Sequence, residues 1–332
     1  MISYANRHLQ INYIYGEVVV TLAMVENSRA QTTVNPEEAQ TPFLEESKDT
    51  NPSSDHKVAP TKTRPITSSM NGTLRHLRRR AGIWSCFRGI VVYAILSVSG
   101  IAVSAICVSI FSIILPNSLS FYLGNLLSSV LVAPVYLLWT HIVISERSQK
   151  YWWRRFIPMK KIKKIFLPTL ATSTVSLIPI WIGSAMLPHK SNGGQGTVRA
   201  QIALDLFIVK WLGFSLTMIV YLVFIALPFT IMLTRVQASL LEEEPIVPFD
   251  RSFEGKVVSE EFGGSGVLSM KDAWQTFDWE SRVRVLKLLS KIIGLNLLVF
   301  ICSLAILAVI VINLDRERVL RFFISLGFLL ST

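Results

Sequence analysis

The sequence predicts an all-α, polytopic helical membrane protein with five spans and material for a sixth, and three observations carry that prediction. Of 332 residues, 51% are hydrophobic and 17% charged, against about 25% charged in ordinary soluble domains, and the mean hydropathy is +0.47. Five apolar runs approach or exceed the roughly 20 residues a helix needs to cross a bilayer. Between the second and third runs lies Ser145 to Lys164, SERSQKYWWRRFIPMKKIKK, with eight Lys or Arg and one Glu. Short basic loops stay on the cytoplasmic side, or the matrix side in a mitochondrion, so this loop sets the sidedness of the rest.

Taken in order, residues 1–73 read as a disordered tail and residues 74–332 as the helical membrane domain. Ile11 to Val25 is apolar but broken by Glu17, lacks a small-residue cleavage pattern and is short for a span. Residues 26–73 are rich in Ser, Thr, Pro and Glu, a composition that buries too little surface to offset chain entropy. Glu37, Glu38, Glu45 and Glu46 argue against a mitochondrial transit peptide, which is poor in acids. From His56 to Gly89 there are eight Lys or Arg and no acid, which holds the N-terminus on the basic side.

The first span is placed at residues 90–115 and the second at 119–144, joined only by Pro116, Asn117 and Ser118, so they must form a tight antiparallel hairpin. Gly100 with Ser104, and Ala105 with Ser109, have the small-x-x-x-small spacing of a close helix contact. The third span, residues 165–187, carries Pro168, Pro179 and hydroxyls at Thr172, Ser173, Thr174 and Ser176 that can satisfy freed carbonyls. After the far-side loop SNGGQG comes the fourth, residues 206–233, with Lys210 near its start able to snorkel. Loop 234–291 returns to the basic side. Within it Ser269 and Asp272 resemble a capping box that opens a helix lying along the membrane interface. Asp278 with Arg282, and Glu280 with Arg284, have acid-then-base i,i+4 spacing in that helix. The fifth span is residues 292–314, and 319–332 is a partial span or an interfacial segment.

Several function classes drop out. The net charge of +11 sits beside the spans, where topology explains it better than nucleic acid does. Cys86, Cys107 and Cys302 form no Cys-x-x-Cys, so no metal site is expected, and no cofactor motif stands out: GKVVSEEFGGSG lacks the Gly-Lys-Ser/Thr of a phosphate loop. No span has an acid near its centre, and His141 at a span end reads as an interface histidine. Asn125 and Asn296 read as interhelical hydrogen-bonding residues. Trp84, Tyr151, Trp152, Trp153, Trp274 and Trp279 are expected interface anchors, and Cys86 beside the first span is a candidate for lipidation.

An internal repeat is the sharpest signal. PVYLLWTHIVIS begins at Pro134 and PFTIMLTRVQAS at Pro228, 94 residues later, matching at Pro134/Pro228, Thr140/Thr234 and Ser145/Ser239. Each segment ends an apolar helix on the basic side, and a period across membrane hairpins signals a repeated fold unit. His141 and Arg235 follow the paired threonines.

The second copy, with Arg235 and Gln237 after Pro228, resembles the helix end of mitochondrial solute carriers, Pro-x-Asp-x-x-Lys-x-Arg-x-Gln, and GIWSCFRG at Gly82 to Gly89 resembles their Gly-x-x-x-x-aromatic-basic-Gly element. That resemblance implies repeated two-helix hairpins, each with a short surface helix, around a solute path. Here the surface helices are expected at residues 147–156 and 271–286. The signature acid is replaced by Tyr136 or Thr230 and the signature base by Trp139 or Leu233. From about His76 to Phe300 the chain is also similar to fungal polytopic proteins of unknown function, on THIVIS, RVQASLLEEEPIVPFDRSFEGKVV, GGSG and DAWQTFDW. Some of those carry a ubiquitin-conjugating or ubiquitin-carrier label, but that chemistry needs a His-Pro-Asn ahead of a catalytic thiol, which this chain lacks. The expectation is a non-enzymatic protein of an intracellular membrane, with a mitochondrion among the candidates. It is either carrier-like with an unknown solute or an adaptor that recruits a protein partner through loop 234–291, where PIVPFDRSF is the docking candidate.

Overall fold

The computed structural model describes residues 12–26, 65–146, 151–186, 213–258 and 262–313. Their regular structure is helical, and among them the one β feature is an isolated bridge between Ser145 and Pro245. The expected tail between 27 and 64, the loop SNGGQG, Lys210, and the segment 319–332 lie outside the described residues. The chain divides into two compact units, residues 1–285 and 286–332.

The first helix corrects the reading of the tail. Residues 12–25 form α1 (Asn12–Val25), π-wound over Asn12–Val19 and α-helical from Val20 to Val25. Val18, Val19, Leu22, Ala23 and Val25 are fully buried. Each of the valine and leucine side chains contributes roughly 1.5–3 kcal/mol relative to exposure, so this stretch has the apolar burial a tail lacks. Glu26 then accepts from the amides of Ile66 (2.6 Å) and Thr67 (2.9 Å) and from the Thr67 hydroxyl, which ties residues 65–68 to the end of α1.

Helix α2 (Met70–Ala81) is capped by Ser69, whose side chain accepts from Gly72 N, and presents Leu77 and Thr73 inward with Arg75, Arg78, Arg79 and Arg80 outward. It stops at Gly82 (φ 85°). A 3-10 turn, Ile83–Phe87, leads to Gly89 (φ 75°), and both glycines adopt backbone that side chains rarely take. A Cβ at Gly89 would also press on Trp139 at 3.3 Å, so the glycine spacing of GIWSCFRG is a steric requirement here.

Helices α3 (Ile90–Ser112) and α4 (Asn117–Ile144) form the expected antiparallel hairpin. Ser104 donates to Asn125 Oδ1 at 2.7 Å and Ser128 reaches Gly100 O at 3.4 Å. Helix α5 (Met159–Met186) covers the third expected span but starts six residues earlier, so Lys160 to Lys164 are helical. Helix α6 (Gly213–Ser239) continues six residues past the expected end, because nothing between Leu233 and Ser239 breaks it. It contains a π-turn, Leu222–Ala226, immediately before Leu227–Ser239 and Pro228. Such a turn re-satisfies carbonyls that a proline leaves without a donor. Pro134, by contrast, sits inside unbroken α-helix. Tyr221 Oη donates to Val175 O (2.6 Å) and Thr172 lies near Phe229 O (3.4 Å), so α5 and α6 are antiparallel.

Two expected surface helices are corrected. Within 147–156 the described residues hold only a 3-10 turn, Trp152–Arg155. The helix placed along the interface is instead α7 (Met270–Gln275), capped by Ser269 as expected, followed by a break and α8 (Trp279–Asn313), which runs without interruption into the expected fifth span. No proline stands within Trp279–Asn313 to separate the two. Ala273, Phe277 and Val285 are buried in protein, so this face does not rest on lipid.

Among the described residues, four helical stretches are long and apolar enough to cross a membrane: Trp84–Ser112, Asn117–Ile144, Gly213–Ser239 and Trp279–Ser303. Val98 (69%), Ile101 (74%) and Phe224 (73%) stand exposed along them. Water does not tolerate a band of that kind and a bilayer does, so the chain is a membrane protein with transmembrane helices. Its protein core lies elsewhere. In residues 1–285 the buried cluster gathers at the basic end, from α1, the second half of α4, the start of α5, the end of α6 and the loop after it.

Candidate functional site

The C-terminal ends of α4 and α6 meet in that core. Thr140 Oγ1 donates to Gln237 Oε1 at 2.8 Å, and His141 Nε2 lies 2.7 Å from Gln237 O. Beyond the helix ends, Ile246 N donates to Ile144 O at 2.9 Å and Glu146 N to Glu244 O at 2.6 Å. Both helices therefore deliver their C-termini to one layer. Thr140 and Thr234 each bond back to the carbonyl four residues earlier, Tyr136 (3.1 Å) and Thr230 (2.9 Å). Ser145 Oγ accepts from Arg155 at 2.6 Å and Ser239 Oγ from Leu268 N at 3.1 Å, so each serine ties down the loop that follows it.

Helix α1 packs against both partners. Trp139 Nε1 donates to Tyr13 Oη (3.3 Å), Tyr13 Oη donates to Arg88 O (2.5 Å), and Tyr13 and Tyr93 pack at 5.0 Å between ring centres. Glu17 accepts from Tyr93 Oη at 3.2 Å. Burial pushes the Glu17 carboxyl above the usual carboxylate range, against the lowering effect of the Tyr93 hydrogen bond. On the far side of α1, Arg235 is 1% exposed. It donates to Met24 O (3.4 Å), Thr276 O (3.3 Å) and Thr276 Oγ1 (3.0 Å), with its guanidinium 4.9 Å from the Phe253 ring centre and 5.1 Å from that of Phe277. Arg284 reaches Glu26 O at 2.9 Å.

Phe253 reaches Arg235 because its loop is wound left-handed: Phe253 (φ 48°), Glu254 (φ 61°) and Gly255 (φ 78°) follow one another. Asp250 organises this turn by accepting from Ser252 N (2.8 Å), Ser252 Oγ (2.6 Å) and Glu254 N (2.9 Å). Burial would raise the Asp250 carboxyl, but those hydrogen bonds outweigh it and hold the carboxyl below its usual range. PIVPFDRSF is thus packed down, with Ile246, Val247, Phe249 and Phe253 all buried.

A cavity of about 340 Å³ opens beside His141, walled by Arg154, Arg155, Phe156, Leu240 and Glu243. Arg155 pairs with Glu243 across it, and Lys161 with Glu242 at 2.5 Å nearby. Among the described residues no group of three or more His, Cys, Asp or Glu is placed to hold a metal ion.

The sequence-marked residues separate clearly. Thr140, His141, Thr234 and Arg235 fall in this layer, and Pro134 and Pro228 sit in the helices that build it. His141 is 6% exposed and bonded to α6, which replaces the interface reading. Of the expected anchors, Trp84, Tyr151, Trp153 and Trp279 are exposed, while Trp152 is half-buried and Trp274 is stacked under Arg282 at 4.0 Å. Cys86 is 3% exposed, so its sulfur is covered by protein and the lipidation reading is withdrawn. Sequence reasoning missed Tyr13, Glu17, Glu26 and Arg88, all of which act through α1. Neither the family models, the curated proteins nor the solved structures contain a match to the chain. The class the fold defines is therefore that of a helical membrane protein with a hydrogen-bonded layer at its basic end.

Proposed function

We propose that the chain is a divergent carrier-like protein of an intracellular membrane, mitochondrial or otherwise. In this reading α3, α4, α5, α6 and α8 are its five spans, the basic end and the N-terminus face the cytoplasm or matrix, and the solute is unidentified. The observation that carries the reading is the matched behaviour of α4 and α6. Their threonines make the same back-bond, their serines hold the loop that follows, and both helices end in one layer joined through Gln237. Repeated hairpins with a common direction are the building plan of many solute carriers. The departures at Tyr136, Trp139, Thr230 and Leu233 leave the helix ends joined by neutral hydrogen bonds where the resembled family has charges. We assign the chain no catalytic role. The adaptor reading is second, since PIVPFDRSF is packed and the exposed apolar residues left in loop 234–291 on the described side include Val258 and Phe262.

The test is uptake into liposomes. Purified full-length protein is reconstituted and offered radiolabelled dicarboxylates, phosphate, adenine nucleotides and amino acids. The expected result is time-dependent uptake of at least one probe, lost in Gln237→Leu. Uptake of no probe above protein-free vesicles would overturn the carrier reading and leave the adaptor.

A further inference from the structure

The cavity at His141 has a counterpart that is filled. One repeat position on, Arg235 occupies the place equivalent to His141, and the space around its head is taken by Phe253 and Phe277 from the chain's own loop. At His141 the corresponding loop, 151–158, leaves about 340 Å³, at the small end of the range for ligand sites.

Its chemistry is specific. The carbonyl of Gln237 can only accept, so the proton of a neutral His141 ring is on Nε2, and Nδ1 is an acceptor. Glu243 is oriented by Arg155, which donates to it through Nε at 3.2 Å and again through Nη2, and two such bonds leave lone pairs on the carboxylate. Arg155 is itself fixed by Ser145 Oγ. Arg154 is exposed at the wall and offers a planar fork suited to a carboxylate. Phe156, Leu240 and Leu241 supply an apolar side. The lining thus combines hydrogen-bond acceptors, a cationic donor for an anion and an apolar surface.

We infer that this cavity binds a small zwitterion of the amino-acid class, its ammonium on His141 Nδ1 and Glu243, its carboxylate on Arg154, and its side chain against Phe156 and Leu240. The cavity is lined by residues of the helix ends and the loops that follow them, and its binding is argued from those residues alone, so it does not depend on the protein being a carrier. An adaptor would bind the same ligand.

The experiment is equilibrium dialysis of full-length protein in nanodiscs against labelled L-leucine, L-phenylalanine, L-glutamine and L-arginine, with acetate, inorganic phosphate and butylamine as competitors. At least one amino acid should bind saturably with a Kd of about 1 mM or tighter. Acetate, phosphate and butylamine should each compete about tenfold more weakly, because each satisfies one end only. Arg154→Gln, at an exposed side chain that leaves the fold intact, should weaken binding about tenfold, and Phe156→Ala should weaken it independently. The proposal is overturned if no amino acid binds, if both variants bind as the wild type does, or if acetate or phosphate competes as well as the amino acid, which would make it an anion site. Because binding is read without transport, its failure is separate from a failure of uptake.

Discussion

Gly124 of α4 packs closely against Val108 of α3, and replacing it by alanine tests the helix packing directly. The added Cβ would lie 2.6 Å from Val108 Cγ2, 2.7 Å from its amide nitrogen and 2.8 Å from its Cα. Two of those atoms are backbone, so relief comes only by moving the helices apart by roughly 1 Å, which forfeits a quarter to a half of the dispersion at the seam. The bonds Ser104–Asn125 (2.7 Å) and Ser128–Gly100 (3.4 Å) lengthen with it, each worth about 0.6 kcal/mol within a membrane. Overpacking of this kind costs about 1–3 kcal/mol, and the better helix propensity of alanine returns up to about 1 kcal/mol. The net expectation is a loss of about 1–2 kcal/mol. Gly100→Ala is the control, since a Cβ there meets nothing within 4 Å. It should be neutral or stabilising by up to about 1 kcal/mol. Reversible unfolding in mixed micelles titrated with dodecyl sulfate reads both values. Equal stability of the two variants, or a Gly124→Ala protein as stable as the wild type, would refute this account of the packing.

Asp250→Asn should release the left-handed turn, seen as faster hydrogen exchange at the amides of Ser252 and Glu254 by about tenfold. The wild-type carboxyl is depressed in the folded state, so its contribution is complete above the ordinary carboxylate range and is lost as pH falls through the lowered value. The variant should lack that acid-side loss, and an unchanged pH profile would argue against the assigned role. Cys86 should resist maleimide in native membranes and react after denaturation, and rapid native labelling would contradict its 3% exposure. Asn71 stands exposed on α2 within the sequon Asn-Gly-Thr, and it should carry no glycan if, as proposed, α2 faces the cytoplasm or matrix; a glycosylated native protein would invert the proposed topology.

The parts of the fold legible in sequence are those set by local chemistry. Apolar length placed α3 and α4 to within a few residues, three intervening residues dictated the hairpin, and Ser269 with Asp272 marked the start of α7. Helix ends were less legible wherever charge and helix coincide. Lys160 to Lys164 and Thr234 to Ser239 look like loop because they are polar, yet good helix formers continue a helix past the apolar run with little cost. The same confusion affected α8, whose polar first turns were read as a separate surface helix.

The candidate site was half legible for a related reason. The sequence match between the segments at Pro134 and Pro228 pointed to Thr140, His141, Thr234 and Arg235, since matched positions at helix ends need no knowledge of partners. What completes the layer is α1, and a 14-residue apolar stretch is short for the bilayer and suited to burial in protein. Glu17 obscured this, because a carboxylate inside an apolar run normally signals exposure. In the fold it is accommodated by the hydroxyl of Tyr93, 76 residues away, and raised toward its neutral form by burial. Glu26 is a similar case: it ends α1 only in company with Ile66 and Thr67, across a gap of 40 residues that no local pattern spans. Long-range polar satisfaction is thus what the sequence conceals. It is also what distinguishes the basic end, where α1, α4 and α6 bury charged and amide groups among one another, from the apolar half that lipid can cover without any such arrangement.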